Sequence, residues 1–196
     1  CLLQQINLFR AYEHIFRGRK HLTLLDLGAN IGLVSVYASD VCDHIVAVEP
    51  APKTFAVLER IALKVVNIST IRAAVAAKDG ECIFHVNDIN TTANSAVNTY
   101  GDEIKVNGMT LQSIIQGSSL DRVDVCKVDI EGSEGESLTL DQIGWAMPIV
   151  HSYYVETHNC PFSTWEQKLG KLVEIFARTG YTNMRLEGMT VYAHKP

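Results

Sequence analysis

Apolar residues along the chain recur in two rhythms, and the switches between them outline the elements. Leu2, Ile6, Phe9 and Ile15 or Phe16 fall at helical spacing and predict an amphipathic N-terminal helix, Leu2 to Phe16. His21 to Leu27 is a short unbroken apolar run, the pattern of a buried strand, and Ile31 to Ala38 resumes as a helix. "HIVAVEP" reads as a second strand that ends at Glu49 and is stopped by Pro50, and "APKTFAVLERIALKVV" as a helix with Phe55, Leu58 and Val65 on one face. "ISTIRAAVA" predicts a third strand and "DGECIFHV" a turn into an extra one. Polar residues then dominate from Asn87 to Gly101, which predicts a long loop, and "MTLQSIIQG" follows as a short helix. "RVDVCKVDIEGSEGE" holds a fourth strand with a charged end and "IVHSYYVETHN" a fifth. Trp165, Leu169, Leu172 and Phe176 share a helical face closed by Gly180, and "YTNMRLEG" and "MTVYAHK" make a hairpin turned at Gly188.

Strand and helix thus alternate through five rounds before the hairpin, which predicts a mostly parallel α/β sheet with helices on both faces and an antiparallel strand at the end. The chain has 196 residues, enough for one domain with a substantial core, and no repeat or low-complexity tract divides it. Residues 1–196 are therefore expected to be a single domain, with 1–20 as a helix preceding the core. A hydrophobic fraction of 47% and a charged fraction of 20% fit a globular chain. The net charge of −5 disfavours a nucleic-acid partner, which usually leaves a basic footprint. No apolar run is long enough to span a bilayer. The five cysteines are scattered and form no C-x-x-C pair, so a reducing, cytoplasmic setting is expected.

The chemistry begins at "LLDLGANIGLVSVYAS", where a strand gives way to Asp26-x-Gly28-x-Asn30-x-Gly32 and then to a helix. Such a strand, tight turn and helix let a ligand approach backbone groups closely. A dinucleotide fingerprint would have glycine where Asn30 and Leu33 stand, and no G-K-[ST] follows, so the pattern points to an adenosine-like ribose without a phosphate. Glu49 suits that ligand: a carboxylate at the end of the second strand, about twenty residues beyond the turn, can accept bonds from both ribose hydroxyls. An adenine would then lie near the end of the third strand, around Ala73, Ala74 and Val75.

"LLDLGANIGLVSVYAS", "VAVEPAPKTFAVL" and "CKVDIEGSE" together resemble S-adenosylmethionine-dependent methyltransferases of the FkbM type, from Leu22 to near the end of the chain. "KVDIEGSE" is the more family-specific of these runs. The resemblance implies a Rossmann-like, seven-stranded class I methyltransferase sheet, S-adenosylmethionine as cofactor, and O-methylation of a small-molecule or glycosyl hydroxyl.

Methyl transfer from a sulfonium is an in-line displacement, which requires alignment and often removal of a proton. Candidates gather at the carboxyl ends of the fourth and fifth strands: Asp129 and Glu131, then Glu156 and His158, each pair spaced by two so as to face one side. Asp129 would hold the methionine moiety or take the acceptor's proton, and His158 would act as a base near pH 7. Lys127 falls out of that alternation and reads as half of a structural ion pair. The same four residues offer an oxygen-rich divalent metal site, a reading not favoured because such acids arise in this fold without metal. Asn94 and Ser95, in the polar loop, are expected to approach donor or acceptor as the loop closes over the ligand. Two rivals are weighed: a nucleic-acid methyltransferase, against which Asp129-Ile130-Glu131-Gly132 replaces the Asn/Asp-Pro-Pro-aromatic run of base-amine enzymes, and a module that binds S-adenosylmethionine without turnover.

Overall fold

The computed structural model describes residues 12–86, 95–96 and 101–196. Of the expected N-terminal helix, 12–16 is helical and buries Tyr12, Ile15 and Phe16; its remainder, and most of the Asn87 to Gly101 loop, lie outside the described residues.

Seven strands form the main sheet: β1 (Leu22–Leu27), β2 (Cys42–Val48), β3 (Ile68–Ile71), β7 (Val125–Val128), β8 (Ser152–Glu156), β9 (Asn183–Glu187) and β10 (Thr190–His194). Their order is β3-β2-β1-β7-β8-β10-β9, with β1, β2, β3, β7 and β8 parallel and β10 antiparallel to both its neighbours. The central parallel strands β1, β7 and β8 are almost wholly buried, as strands covered on two faces must be. One face packs Leu25, Leu27 and Val128 against Leu172, Phe176 and Tyr181, and the other packs Leu24, Ile45 and Val125 against Tyr12, Phe16 and Leu58.

The helices are α1 (Leu33–Ala38), α2 (Pro52–Ala62), α3 (Leu111–Gly117), α4 (Glu134–Ser137), α5 (Leu140–Ala146) and α6 (Trp165–Thr179). Helix α6 starts on a capping box between Thr164 and Gln167 and stops at Gly180, whose φ of 98° a residue with a Cβ rarely adopts. Helix α2 is shorter than its apolar rhythm suggests. It ends at Ala62, and Leu63 and Val66 stand in solvent.

The expected third strand is in fact two. β3 stays in the main sheet, whereas β4 (Ala74–Val75) leaves it and joins β5 (Gly80–Val86) and β6 (Asp102–Met109) in a separate sheet of order β4-β6-β5. The core of that sheet is small: Ala51, Ala74 and Phe84, flanked by Ile104 and Val106. Gly108 is needed where β6 passes β5, since a Cβ there would stand 3.0 Å from the Gly80 carbonyl oxygen.

Candidate active site

Everything at the site hangs from the adjacent ends of β1, β2, β7 and β8. Leaving β1, the N–H groups of Gly28 and Ala29 both donate to the Val48 carbonyl, at 3.0 and 2.9 Å. Gly28 has a φ of 74°, and a Cβ there would sit 1.8 Å from the Asp129 carbonyl oxygen, so the β1 and β7 turns touch backbone to backbone. Asn30 follows in the left-handed region, φ 51°, which asparagine tolerates better than most residues. Its side-chain oxygen accepts the Ile31 N–H at 2.8 Å.

Glu49 is buried, and its two carboxylate oxygens accept the N–H groups of Asn30 and Ala51, each at 3.0 Å. It therefore ties the glycine turn to the end of β2, and one lone pair on each oxygen remains for a ligand. Burial pushes its carboxyl up to about 7.

A cavity of about 300 Å³ opens along these ends. It is lined by Gly28, Asn30 and Glu49, by the apolar Ala73, Ala74, Val75, Phe84 and Ala96, and by Lys127, Asp129 and Glu131. Phe84 and Ala96 belong to the small sheet and its connection, and the sequence reading did not assign them. Their signal was the apolar alternation of Phe84 with Ile104 and Val106 on partner strands.

Asp26 and Gly32, expected with Gly28 and Asn30 among the donor-binding residues, do not line the cavity. Asp26 is fully buried, accepts the Ser35 hydroxyl at 2.7 Å and pairs with the Lys127 ammonium at 3.1 Å. Gly32 instead makes room for helix α2, because a Cβ there would lie 2.6 Å from a Leu58 methyl. Lys127, 3% exposed, also donates to the Gly28 carbonyl at 2.8 Å and lies 3.7 Å from Asp129. Burial alone would lower its pKa, but Asp26 and Asp129 more than offset that and raise it, so it stays charged.

Strand alternation is not what brings the acids together. β7 ends at Val128, and Glu131 lies beyond it with a φ of 53°, in a turn continued by Gly132. Asp129 and Glu131 nevertheless meet Glu156 and His158 around one point. The His158 Nε2 is 3.7 Å from Asp129 Oδ1, 3.8 Å from Glu131 Oε2 and 3.7 Å from Glu156 Oε1. Its Nδ1 is 3.0 Å from Oε1 of Glu134, a fully buried acid that sequence reasoning had not placed in the site.

Burial would lower the His158 pKa, but the bond to Glu134 and the charges of Glu131, Glu134 and Asp129 outweigh it and lift the imidazole to about 9. A pKa so raised favours the imidazolium at neutral pH, where the sequence pattern suggests a base. Burial likewise pushes Glu131 up to about 7, against the pull of His158, and raises Glu156. Asp129, Glu156 and His158 each bring one ligand atom to within 4.8 Å of the others. For a divalent cation to enter there, the imidazolium would first have to give up its proton.

Of the loop residues, Asn94 lies outside the described residues. Ser95 is buried, and its hydroxyl donates to the Glu131 carbonyl at 2.6 Å, bracing the turn that carries this acid. Among the described residues, no helix is long and apolar enough to cross a membrane.

A family model for the methyltransferase FkbM domain matches residues 26–182. No curated protein matches the chain. Among solved structures, the methyltransferase FkbM of Methylobacillus flagellatus aligns over 92% of this chain and 45% of its own, at 15% identity and a TM-score of 0.60. The chain thus spans less than half the length of that protein. Precorrin-6y C5,15-methyltransferase of Geobacter metallireducens aligns over 95% of this chain and 87% of its own, at 16% identity and a TM-score of 0.55. Aeropyrum pernix fibrillarin, in complex with natively bound S-adenosyl-L-methionine, aligns over 89% and 67%, at 12% identity and a TM-score of 0.50. At these identities the likeness is one of fold.

Proposed function

The chain belongs to the FkbM methyltransferase domain family, whose members use S-adenosylmethionine, and from that premise we propose that it methylates a hydroxyl oxygen of a small molecule or glycosyl acceptor. The observation that carries this reading is the convergence of Asp129, Glu131 and Glu156 on His158 beside the cavity. Carboxylates accept hydrogen bonds from hydroxyls and take their protons.

The lining of the cavity suits the donor. Glu49 would accept the ribose hydroxyls on its remaining lone pairs, and Ala73, Ala74 and Val75 with Phe84 would enclose the adenine. The backbone of Gly28 and Asn30 would lie along the ribose, and Asp129 would hold the cationic methionine end. When bound, S-adenosylmethionine supplies an electrophilic methyl group.

The chain's own task is then to align the acceptor and manage its proton. Glu131, held near 7 by burial, is poised to take a proton at neutral pH. His158 as an imidazolium offsets the negative charge that Asp129, Glu131 and Glu156 would otherwise accumulate, which keeps the three acids close together.

Incubation with S-adenosylmethionine and a panel of sugar, lipid and phenolic acceptors, read by mass spectrometry, tests this. A methyl ether, with one S-adenosylhomocysteine formed per product, is expected. Methylation confined to base amines of added RNA or DNA would refute it, as would tight binding of S-adenosylhomocysteine with no turnover across the panel.

A further inference from the structure

Helix α6 carries a lysine where its apolar face should continue. Lys168 is 2% exposed, beside Leu169 and Leu172, and a lysine so buried is rare unless its charge is paired. Its ammonium has three N–H donors and three acceptors around it. It donates to the Gly132 carbonyl, after β7, and to the His158 carbonyl, after β8, the latter at 2.7 Å. Oε2 of Glu134 lies 3.8 Å away. The alkyl stem lies over Gly135, where a Cβ would come within 3.2 Å of the Lys168 Cγ.

Glu134 is enclosed as completely. Its Oε1 accepts the Gly132 N–H at 2.9 Å and meets His158 Nδ1 at 3.0 Å. One ring nitrogen of His158 is thereby committed, which leaves Nε2 as the nitrogen facing Asp129, Glu131 and Glu156. Neither Glu134 nor Lys168 lines the donor cavity.

We propose that Glu134 and Lys168 are positioning residues for methyl transfer: Glu134 fixes the His158 ring through Nδ1, and Lys168 locks Glu134 to the two loops that carry the four site residues. Together they hold one orientation of the imidazole against three acids. An apolar side chain in place of Lys168 would fill the space under α6 but would free the β7 and β8 loops to move independently. The role in methyl transfer rests on the function proposed above; the orienting of His158 does not.

The test therefore has two arms on the full chain. In the first, protein labelled with 15N-histidine is examined by long-range 1H–15N spectroscopy, with the His158 signals assigned by H158Q. The wild type should show a protected, downfield Nδ1 proton. In the isosteric E134Q and in K168M its exchange should quicken by about tenfold or more as the local structure loosens, and K168R should recover part of the protection. Calorimetry should give an S-adenosylhomocysteine affinity for K168R within about threefold of wild type, because the side chain at 168 does not line the donor cavity and its charge is kept. In the second arm, with any acceptor found to be methylated, E134Q should lower kcat by about tenfold and leave KM for S-adenosylmethionine unchanged.

An Nδ1 proton equally protected in the wild type, E134Q and K168M overturns the proposal. If K168M does not fold, E134Q decides alone. A panel without any acceptor would refute the function proposed above and leave the spectroscopic arm standing.

Discussion

At Glu49 both carboxylate oxygens already accept backbone N–H groups, from Asn30 and Ala51, so the side chain shapes the turn as well as facing the cavity. Glu49→Ala should weaken S-adenosylmethionine binding by about 1–3 kcal/mol, the loss expected for a charged hydrogen-bond partner. Glu49→Gln, with one acceptor oxygen left, should fall between it and wild type in calorimetry. Equal dissociation constants for all three would remove Glu49 from the donor site. Asp129 is different: its carboxylate lies 3.7 Å from both Lys127 and His158, beyond hydrogen-bond distance. Asp129→Asn should keep a native circular dichroism spectrum while turnover falls about 100-fold or more, within the range for an acid–base or orienting group. Wild-type turnover in the variant would contradict that assignment.

Among the elements, the contact between the β1 and β7 turns is the one that tolerates least. Gly28→Ala would drive a Cβ into the Asp129 carbonyl, at 1.8 Å, and there is no flexible side chain to yield. Gly18 has a similar φ, 73°, but open space around it, so Gly18→Ala carries the left-handed penalty alone. Urea unfolding should show a loss of about 1 kcal/mol for Gly18→Ala and about 3 kcal/mol or more for Gly28→Ala. Comparable losses would mean that the turns separate easily. The order of these elements was legible in the sequence because parallel strands and amphipathic helices leave different apolar rhythms. The small sheet was not: only Arg72 and Ala73 separate Ala74 and Val75 from β3, and their pairing with Gly108 and Met109 is what shows that they have left the main sheet. For the site, Asp129, Glu131, Glu156 and His158 could be found because they lie at or within three residues of the ends of two strands. Glu134 and Lys168 could not, since each sits within a helix and acquires its role only when α6 packs over the β7 turn. Asp26, in β1 just before the glycine turn, pairs with the buried Lys127 on the neighbouring strand, a contact that the sequence pattern does not reveal.

For the molecule as a whole, the buried titratable groups at the sheet ends set how stability responds to pH. Burial raises Glu49 and Glu131 from 4.5 to about 7. Burial opposes, but the Glu134 bond and neighbouring carboxylates prevail, in raising His158 from 6.5 to about 9. In all three the folded state binds the proton more tightly than the unfolded chain does. Stability therefore falls as pH rises through the interval between the two values. For the two acids that interval runs from 4.5 to about 7, and for His158 from 6.5 to about 9. Glu134 acts oppositely: burial raises it, but the bond to His158 and that group's charge more than offset burial and lower it, so its contribution is lost as pH falls below the ordinary carboxylate range. The ligand-free protein should thus be most stable in acidic buffer, near pH 4.5, and its Tm should decline steadily toward pH 9, by about 2–4 °C for each kcal/mol lost. Replacing His158 by Gln should remove the imidazole's own share of that decline, between about 6.5 and 9, and shift the Glu131 share to higher pH, because His158 holds that carboxyl down. Scanning calorimetry across this range measures both curves, and a wild-type Tm that rises from pH 6 to pH 9 would show that these groups are not buried together as charges at the ends of the sheet.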